Sequence, residues 1–225
     1  MTKAAGDPGT ALALVSTRHE YGHLFSIYVP IALGVFAAIF LLVLFAVLRY
    51  RRRAPERAAT WHKHELLEGT YALLLACTVA FLLYLTFTAE HRVDNAYAHE
   101  RPSVTINVTA AKWEWTFQYP AYGITVRSGV NGVKPFVVPT GEAVKFNLRS
   151  VDVIHAFWIY ALRYKHDAIP GKKQVFTLEF PSAGLLDGQC AEFCGLRHAD
   201  MLMAARAVSP ARFAAWAHSG GRAAP

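Results

Sequence analysis

Two long uncharged runs stand in the first half of the chain, Leu24 to Leu48 and Gly69 to Ala89, of 25 and 21 residues. As a helix the first would extend about 37 Å, enough to cross a hydrocarbon core of about 30 Å with some tilt. A helix in a soluble core seldom goes so far without a charge, so both runs are read as membrane spans. From Ser103 the pattern changes to short β-rich segments: SVTINVTA, WEWTFQYP, VVPTGEAVKFNLRS, VIHAFWIY, KQVFTLEF and MAARAV. Each carries β-branched or aromatic residues, bounded by Gly, Pro, Asn or Asp. Strands recurring at intervals of about 10 residues predict a β-sandwich or small barrel of about 100 residues. ProThrGlyGlu at 139–142 is read as a hairpin turn. A short helix is expected near Pro210 to His218, followed by a frayed tail. The chain thus divides into an N-terminal tail, 1–23; a two-helix transmembrane hairpin, 24–89; and an all-β domain, 90–225.

Charge orients this arrangement. Between the two runs Arg49, Arg51, Arg52, Arg53, Arg57 and Lys63 face only Glu56, Glu65 and Glu68. By the positive-inside rule the loop 49–68 is expected on the cytoplasmic side. The tail and the β domain are then expected outside, on the plasma (inner) membrane of a prokaryote. AlaLeuAlaLeuVal at 11–15 is too short for the apolar core of a removable signal peptide, so the tail is expected to stay attached. The formal charge of +7 invites a nucleic-acid reading. Nearly half of it is the loop's excess, and the 15 basic against 11 acidic residues from Glu90 onward are scattered. No basic cluster interleaves with stacking aromatics, which argues against a nucleic-acid module. Three cysteines are few for a disulfide scaffold. Cys77, inside the second apolar run, is read as packing.

The chemistry concentrates in CAEFCGLRHADM at 190–201, between the last two expected strands. A disulfide between Cys190 and Cys194 is permitted outside the cytoplasm, but it leaves His198 and Met201 without an account. Zinc would accept two Cys and two His, yet it rarely recruits a thioether. Copper chaperones also use CxxxC outside the membrane, but with a distant downstream His. One more imidazole is available upstream, at His155 on an expected strand. A strand His followed by a loop bearing Cys, His and Met is the set that holds copper in electron-transfer β-sandwiches. The second cysteine lets two thiolates bridge two copper ions, with His155 and His198 completing one each. Met201 and a main-chain carbonyl then take the weak positions. A fixed ligand frame sharing one electron between two metals suits a relay rather than a catalyst.

The two spans, with WEWTFQYP, DVIHAFWIYALRYKHDAIPG and GQCAEFCGLRHADM, resemble subunit II of haem-copper cytochrome c oxidase over most of the chain. CxExCxxxHxxM with an upstream His is highly specific to that family's dinuclear CuA centre. The resemblance implies a cupredoxin-like domain that holds two copper ions through His155, Cys190, Cys194, His198, Met201 and the Glu192 carbonyl. It implies that the Glu192 carboxylate reaches a magnesium ion shared with subunit I. Trp113 matches the aromatic residue through which electrons arrive from cytochrome c. Glu68 matches a carboxylate at the cytoplasmic mouth of a proton channel, although the family's usual Trp is missing beside it. Tyr160 and Leu202 stand where the family commonly has Pro. The implied function is transfer of electrons from cytochrome c to the haem of subunit I, where O2 is reduced to water. The implied partners are subunit I, the other oxidase subunits and the donor cytochrome. No CxxCH and no His-rich helical set is present, so the chain is expected to be an oxidoreductase only within that complex. The rival readings are a quinol oxidase that has lost the metal, a copper chaperone or assembly factor, and a CuA-containing nitric oxide reductase.

Overall fold

The computed structural model describes residues 17–51, 63–96 and 101–225. Most of the tail and the arginines Arg52, Arg53 and Arg57 of the loop lie outside the described residues. The described chain forms two units.

The first unit, Tyr21–His91, holds most of two helices, α1 (Thr17–Arg49) and α2 (Glu65–Ala96). Both begin before their apolar runs, since a nucleated helix propagates readily into flanking polar residues. No residue of α1 is buried, and Phe36, Leu42 and Leu74 are each 67% exposed. Helices apolar on every side and largely uncovered by the described residues suit lipid rather than water. Both are long and apolar enough to cross a membrane. In hydrocarbon every polar group needs an internal partner. The hydroxyls of Thr70, Thr78, Thr86 and Thr88 donate to the carbonyls one turn back at 2.7, 2.8, 3.0 and 2.9 Å. Tyr28 ties the two helices together, its hydroxyl donating to the Leu82 carbonyl at 2.7 Å.

The second unit is a sandwich of two five-stranded sheets. Its strands are β1 (Val104–Ala111), β2 (Glu114–Tyr119), β3 (Ile124–Gly129), β4 (Phe136–Pro139) and β5 (Ala143–Ser150), then β6 (His155–Ile159), β7 (Tyr164–Ala168), β8 (Gln174–Glu179), β9 (Gly184–Cys190) and β10 (Leu202–Val208). The first sheet runs β3-β2-β1-β5-β8 and the second β4-β10-β9-β6-β7. All six expected segments form strands. The turn at 139–142, however, does not make a hairpin. Its flanking strands lie in different sheets, β4 pairing with β10 and β5 with β1 and β8. The turn is instead a crossing point held from both sides: Thr140 N–H donates to Val208 and Gly141 N–H to Phe180. A local turn signal gives the bend but not the partner that each arm will find.

The core is the space between the sheets. Residues of β1 alternate between buried and half-buried, so Val104, Ile106, Val108 and Ala110 face inward. Phe117 and Phe136 stack across the sandwich at 4.2 Å between ring centres, and Phe146 stacks on Phe176 at 5.2 Å. Each such side chain, fully buried, contributes about 1.5–3 kcal/mol. The remaining element, α3 (Pro210–His218), is capped by Ser209, whose hydroxyl accepts from Arg212 N–H, and it buries Phe213 and Trp216.

Candidate metal centre

Cys190 ends β9 and Met201 immediately precedes β10, so the segment between them is a loop joining two antiparallel neighbours. The Cys190 N–H donates to the Met201 carbonyl at 3.0 Å and closes the loop's neck. Ala191 N–H donates to the Ala156 carbonyl, also at 3.0 Å, tying the loop to β6, whose first residue is His155. A 3-10 turn at His198–Asp200, spanned by the Arg197–Asp200 ion pair at 3.1 Å, directs the chain back to Met201.

This framework brings the expected ligands together. Cys190 and Cys194 are free thiols with sulfurs 3.8 Å apart. His155 Nδ1 lies 3.7 Å from Cys190 Sγ, and His198 Nδ1 lies 3.5 Å from Cys194 Sγ. The weak donors divide likewise, with the Glu192 carbonyl 3.3 Å from Cys190 Sγ and Met201 Sδ 3.9 Å from Cys194 Sγ. His155, Cys190 and Cys194 offer atoms within 4.8 Å of one another; His198 joins through Cys194. Two central sulfurs, each with one imidazole and one weaker donor, are a soft set that fits copper, and the thioether sets it apart from common zinc sites.

The polar surroundings fix the imidazole at the deeper end. His155 is fully buried, and its Nε2 lies 2.8 Å from Asp152 Oδ1. A carboxylate on the outer nitrogen is the usual device for orienting a ligating ring and settling its tautomer. Asp152 is itself held by the N–H groups of Val153 and Lys112, each at 2.7 Å. Burial pushes its carboxyl up, but the hydrogen bonds from His155, Val153 and Lys112 outweigh it and hold the group below the usual range. Burial likewise disfavours charge on His155, yet its bonds to Cys190 and Asp152 raise it above an ordinary histidine. The Cys190 thiol is pushed up by burial and pulled down further by His155 and nearby N–H groups. Cys194, by burial and then by the neighbouring Cys190 charge, is pushed up to about 12.

Both tryptophans of WEW donate their indole N–H to this loop. Trp113, half-buried, reaches the Cys194 carbonyl at 3.2 Å, and the fully buried Trp115 reaches that of Met201 at 3.4 Å. Trp115 also sets its ring edge-on to His155. Gly195, at φ +114°, leaves the room that Trp113 fills: a Cβ there would meet Trp113 Cζ2 at 3.4 Å. The half-exposed Glu192 carboxylate lies 3.5 Å from Lys165 Nζ, which also lies 3.4 Å from Asp167. Glu68 lies in the first turn of α2, in the other unit, where its carboxylate accepts from His64 N–H at 3.3 Å. Sequence reasoning missed Asp152 and the loop-holding bond of Trp115. The available signal for Asp152 was a carboxylate three positions before the candidate ligand His155.

A family model described as the periplasmic domain of cytochrome c oxidase subunit II matches residues 125–208. Cytochrome c oxidase subunit 2 of Bacillus sp. strain PS3 is 33% identical over 172 residues, 73% of this chain and 47% of the relative. A probable subunit 2 from Streptomyces coelicolor is 28% identical over 81% of this chain and 69% of its own. The chain thus spans about half the length of the Bacillus protein. Among solved structures, the periplasmic domain of subunit II of cytochrome oxidase from Bradyrhizobium japonicum matches with a TM-score of 0.50. It is 31% identical, over 54% of this chain and 95% of that domain. Domain, loop and two preceding apolar helices agree in one conclusion: the chain belongs to the cytochrome c oxidase subunit II family.

Proposed function

We propose that this chain is the membrane-anchored, electron-accepting subunit of a respiratory haem-copper oxidase. Its hairpin would lie in the plasma membrane with the sandwich on the outer side. The observation that carries the reading is the pair of free thiols 3.8 Å apart, flanked by the Nδ1 atoms of His155 and His198. His155, Cys190, Cys194, His198, Met201 and the Glu192 carbonyl would hold two copper ions. Bound there, the pair supplies a one-electron store that changes charge with little change of shape. The protein's part is to keep that frame rigid and dry. Asp152 holds the His155 ring, Trp113 and Trp115 hold the loop's carbonyls, and the fully buried Met201 keeps water from one side.

Trp113 is the proposed point of electron arrival from a cytochrome c, a role supported by a ring that runs from half-exposed surface to the carbonyl of Cys194. The electron's destination would be the haem of subunit I, with O2 reduced to water in the assembled complex. Glu192 would offer its half-exposed carboxylate to a magnesium ion completed by subunit I, displacing Lys165. Glu68 would stand at the mouth of a proton channel of that subunit. The test is metal content and spectroscopy of the purified oxidase: two coppers in this chain with the signal of an electron shared between them. One copper, or zinc retained after copper loading, would sink the dinuclear reading. Haem content and gas substrate separate the oxidase from a chaperone or a nitric oxide reductase, and intact copper separates it from a quinol oxidase.

A further inference from the structure

The outer face of the first sheet carries a groove of about 590 Å³, lined by Asn107, Gln118, Asn147, Arg149, Lys172 and Lys173 among others. No carboxylate lines it. Asn147 donates to Asn107 at 2.8 Å and Arg149 Nε to Thr109 at 3.0 Å, which fixes the floor and aims the guanidinium. None of the three cations has a carboxylate partner among the described residues.

The groove adjoins the proposed point of electron arrival. Val151, on its rim, donates its N–H to Ala110 at the end of β1. The next residue, Asp152, accepts from the N–H of Lys112, which precedes Trp113. Four carboxylates near Trp113 and the ligand loop are already engaged. Glu114 pairs with Arg127, Asp200 with Arg197, Glu192 with Lys165, and Asp152 with the His155 ring. The groove itself is therefore positive and offers a basic protein no acid to meet.

We infer that this groove is the docking site for an acidic face of the electron-donating cytochrome, seated on Arg149, Lys172 and Lys173 with Trp113 beside it. The inference rests on the electron-accepting reading and adds the partner's charge to it. Opposed charges across such a surface set the association rate, and salt screens them.

The test uses the complete oxidase in neutral-lipid nanodiscs, with two soluble c-type cytochromes as probes, one strongly acidic and one strongly basic. The acidic probe should bind, and should weaken at least about tenfold between about 20 and 200 mM salt. Reversing the groove with Arg149→Glu, Lys172→Glu and Lys173→Glu should cost that probe at least tenfold, whereas Lys134→Glu, outside the groove, should cost nothing. Lys172→Ala with Lys173→Ala, which leaves Arg149 in place, should give a smaller loss in the same direction. Tighter binding of the basic probe, or equal binding by the reversed variant, would overturn the proposal. So would capture of phosphatidylglycerol vesicles through these residues with no cytochrome bound. Copper is measured on the same samples: absent copper with groove binding intact sinks the electron-accepting reading alone, and intact copper with an indifferent groove sinks the docking site alone.

Discussion

Asp152 Oδ1 lies 2.8 Å from Nε2 of His155, so the buried ring presents Nδ1, and only Nδ1, to the sulfur of Cys190. The carboxylate would thereby decide which face of the imidazole a bound metal meets. Asp152→Asn should keep the fold and both cysteines reduced, yet lower copper affinity about 10- to 100-fold, the usual range for losing such a partner. Competition with a copper chelator measures it. An unchanged affinity together with an unchanged spectrum would show that the ring is held by packing alone.

Under the proposed function Trp113 has two separable duties. Trp113→Ala should slow reduction by the donor about a hundredfold or more, the scale on which misplaced reacting partners lose rate. Trp113→Phe keeps an aromatic ring against Gly195 and loses only the bond to the Cys194 carbonyl. That variant should retain most of the rate with a small spectral shift. Stopped-flow reduction, with the copper spectrum recorded beforehand, distinguishes them.

Copper uptake should release protons. With Cys194 pushed up to about 12, it is a neutral thiol near pH 7, whereas Cys190 is pulled down. A metal takes thiolates, so binding must expel the Cys194 proton, and apparent affinity should rise with pH by up to about tenfold per unit for that proton. Calorimetry in buffers of different ionisation enthalpy counts the protons. A pH-independent affinity across pH 6–8 would show that the thiol is already ionised.

Tyr119 is the sandwich's buried phenol. Its hydroxyl accepts from the Val137 N–H and donates to the Val137 carbonyl, both at 2.8 Å, bridging the two sheets at β4. Tyr119→Phe leaves both main-chain groups buried without a partner and should cost about 2–6 kcal/mol, at about 1–3 kcal/mol per orphaned group. Chemical denaturation of the copper-free chain reads this directly.

Topology rests on the arginines between the helices. A reporter active only outside the cytoplasm should work when fused after Pro225 and fail when inserted near Thr60. The opposite pattern would place the sandwich on the cytoplasmic side and defeat the proposed role.

The apolar runs, the six strand segments and the Cys, His and Met spacing of the loop at 190–201 were legible because each is a local pattern of residue types. What escaped was relational. ProThrGlyGlu bends the chain as its residues dictate, but whether the arms pair is decided by distant strands. YKHDA and GLLDGQC, which become β7 and β9, lack a clean apolar alternation because β7 is an edge and β9 runs half-exposed before its end at Cys190. Asp152 reads as a solvated loop carboxylate until His155 turns towards it. The groove was invisible for the same reason, since Arg149 and Lys172 meet only through the sheet.

The two indole bonds also constrain how this loop can change over generations. Trp113 and Trp115 stand two residues apart, about 7 Å along an extended chain, and they hold the carbonyls of Cys194 and Met201. An insertion or deletion between those two loop positions would detach one indole even if every ligand were kept. One turn residue and one strand residue outside the proposed ligand set thereby act as a ruler for the loop's length, so drift in that segment is confined to substitutions that preserve its count.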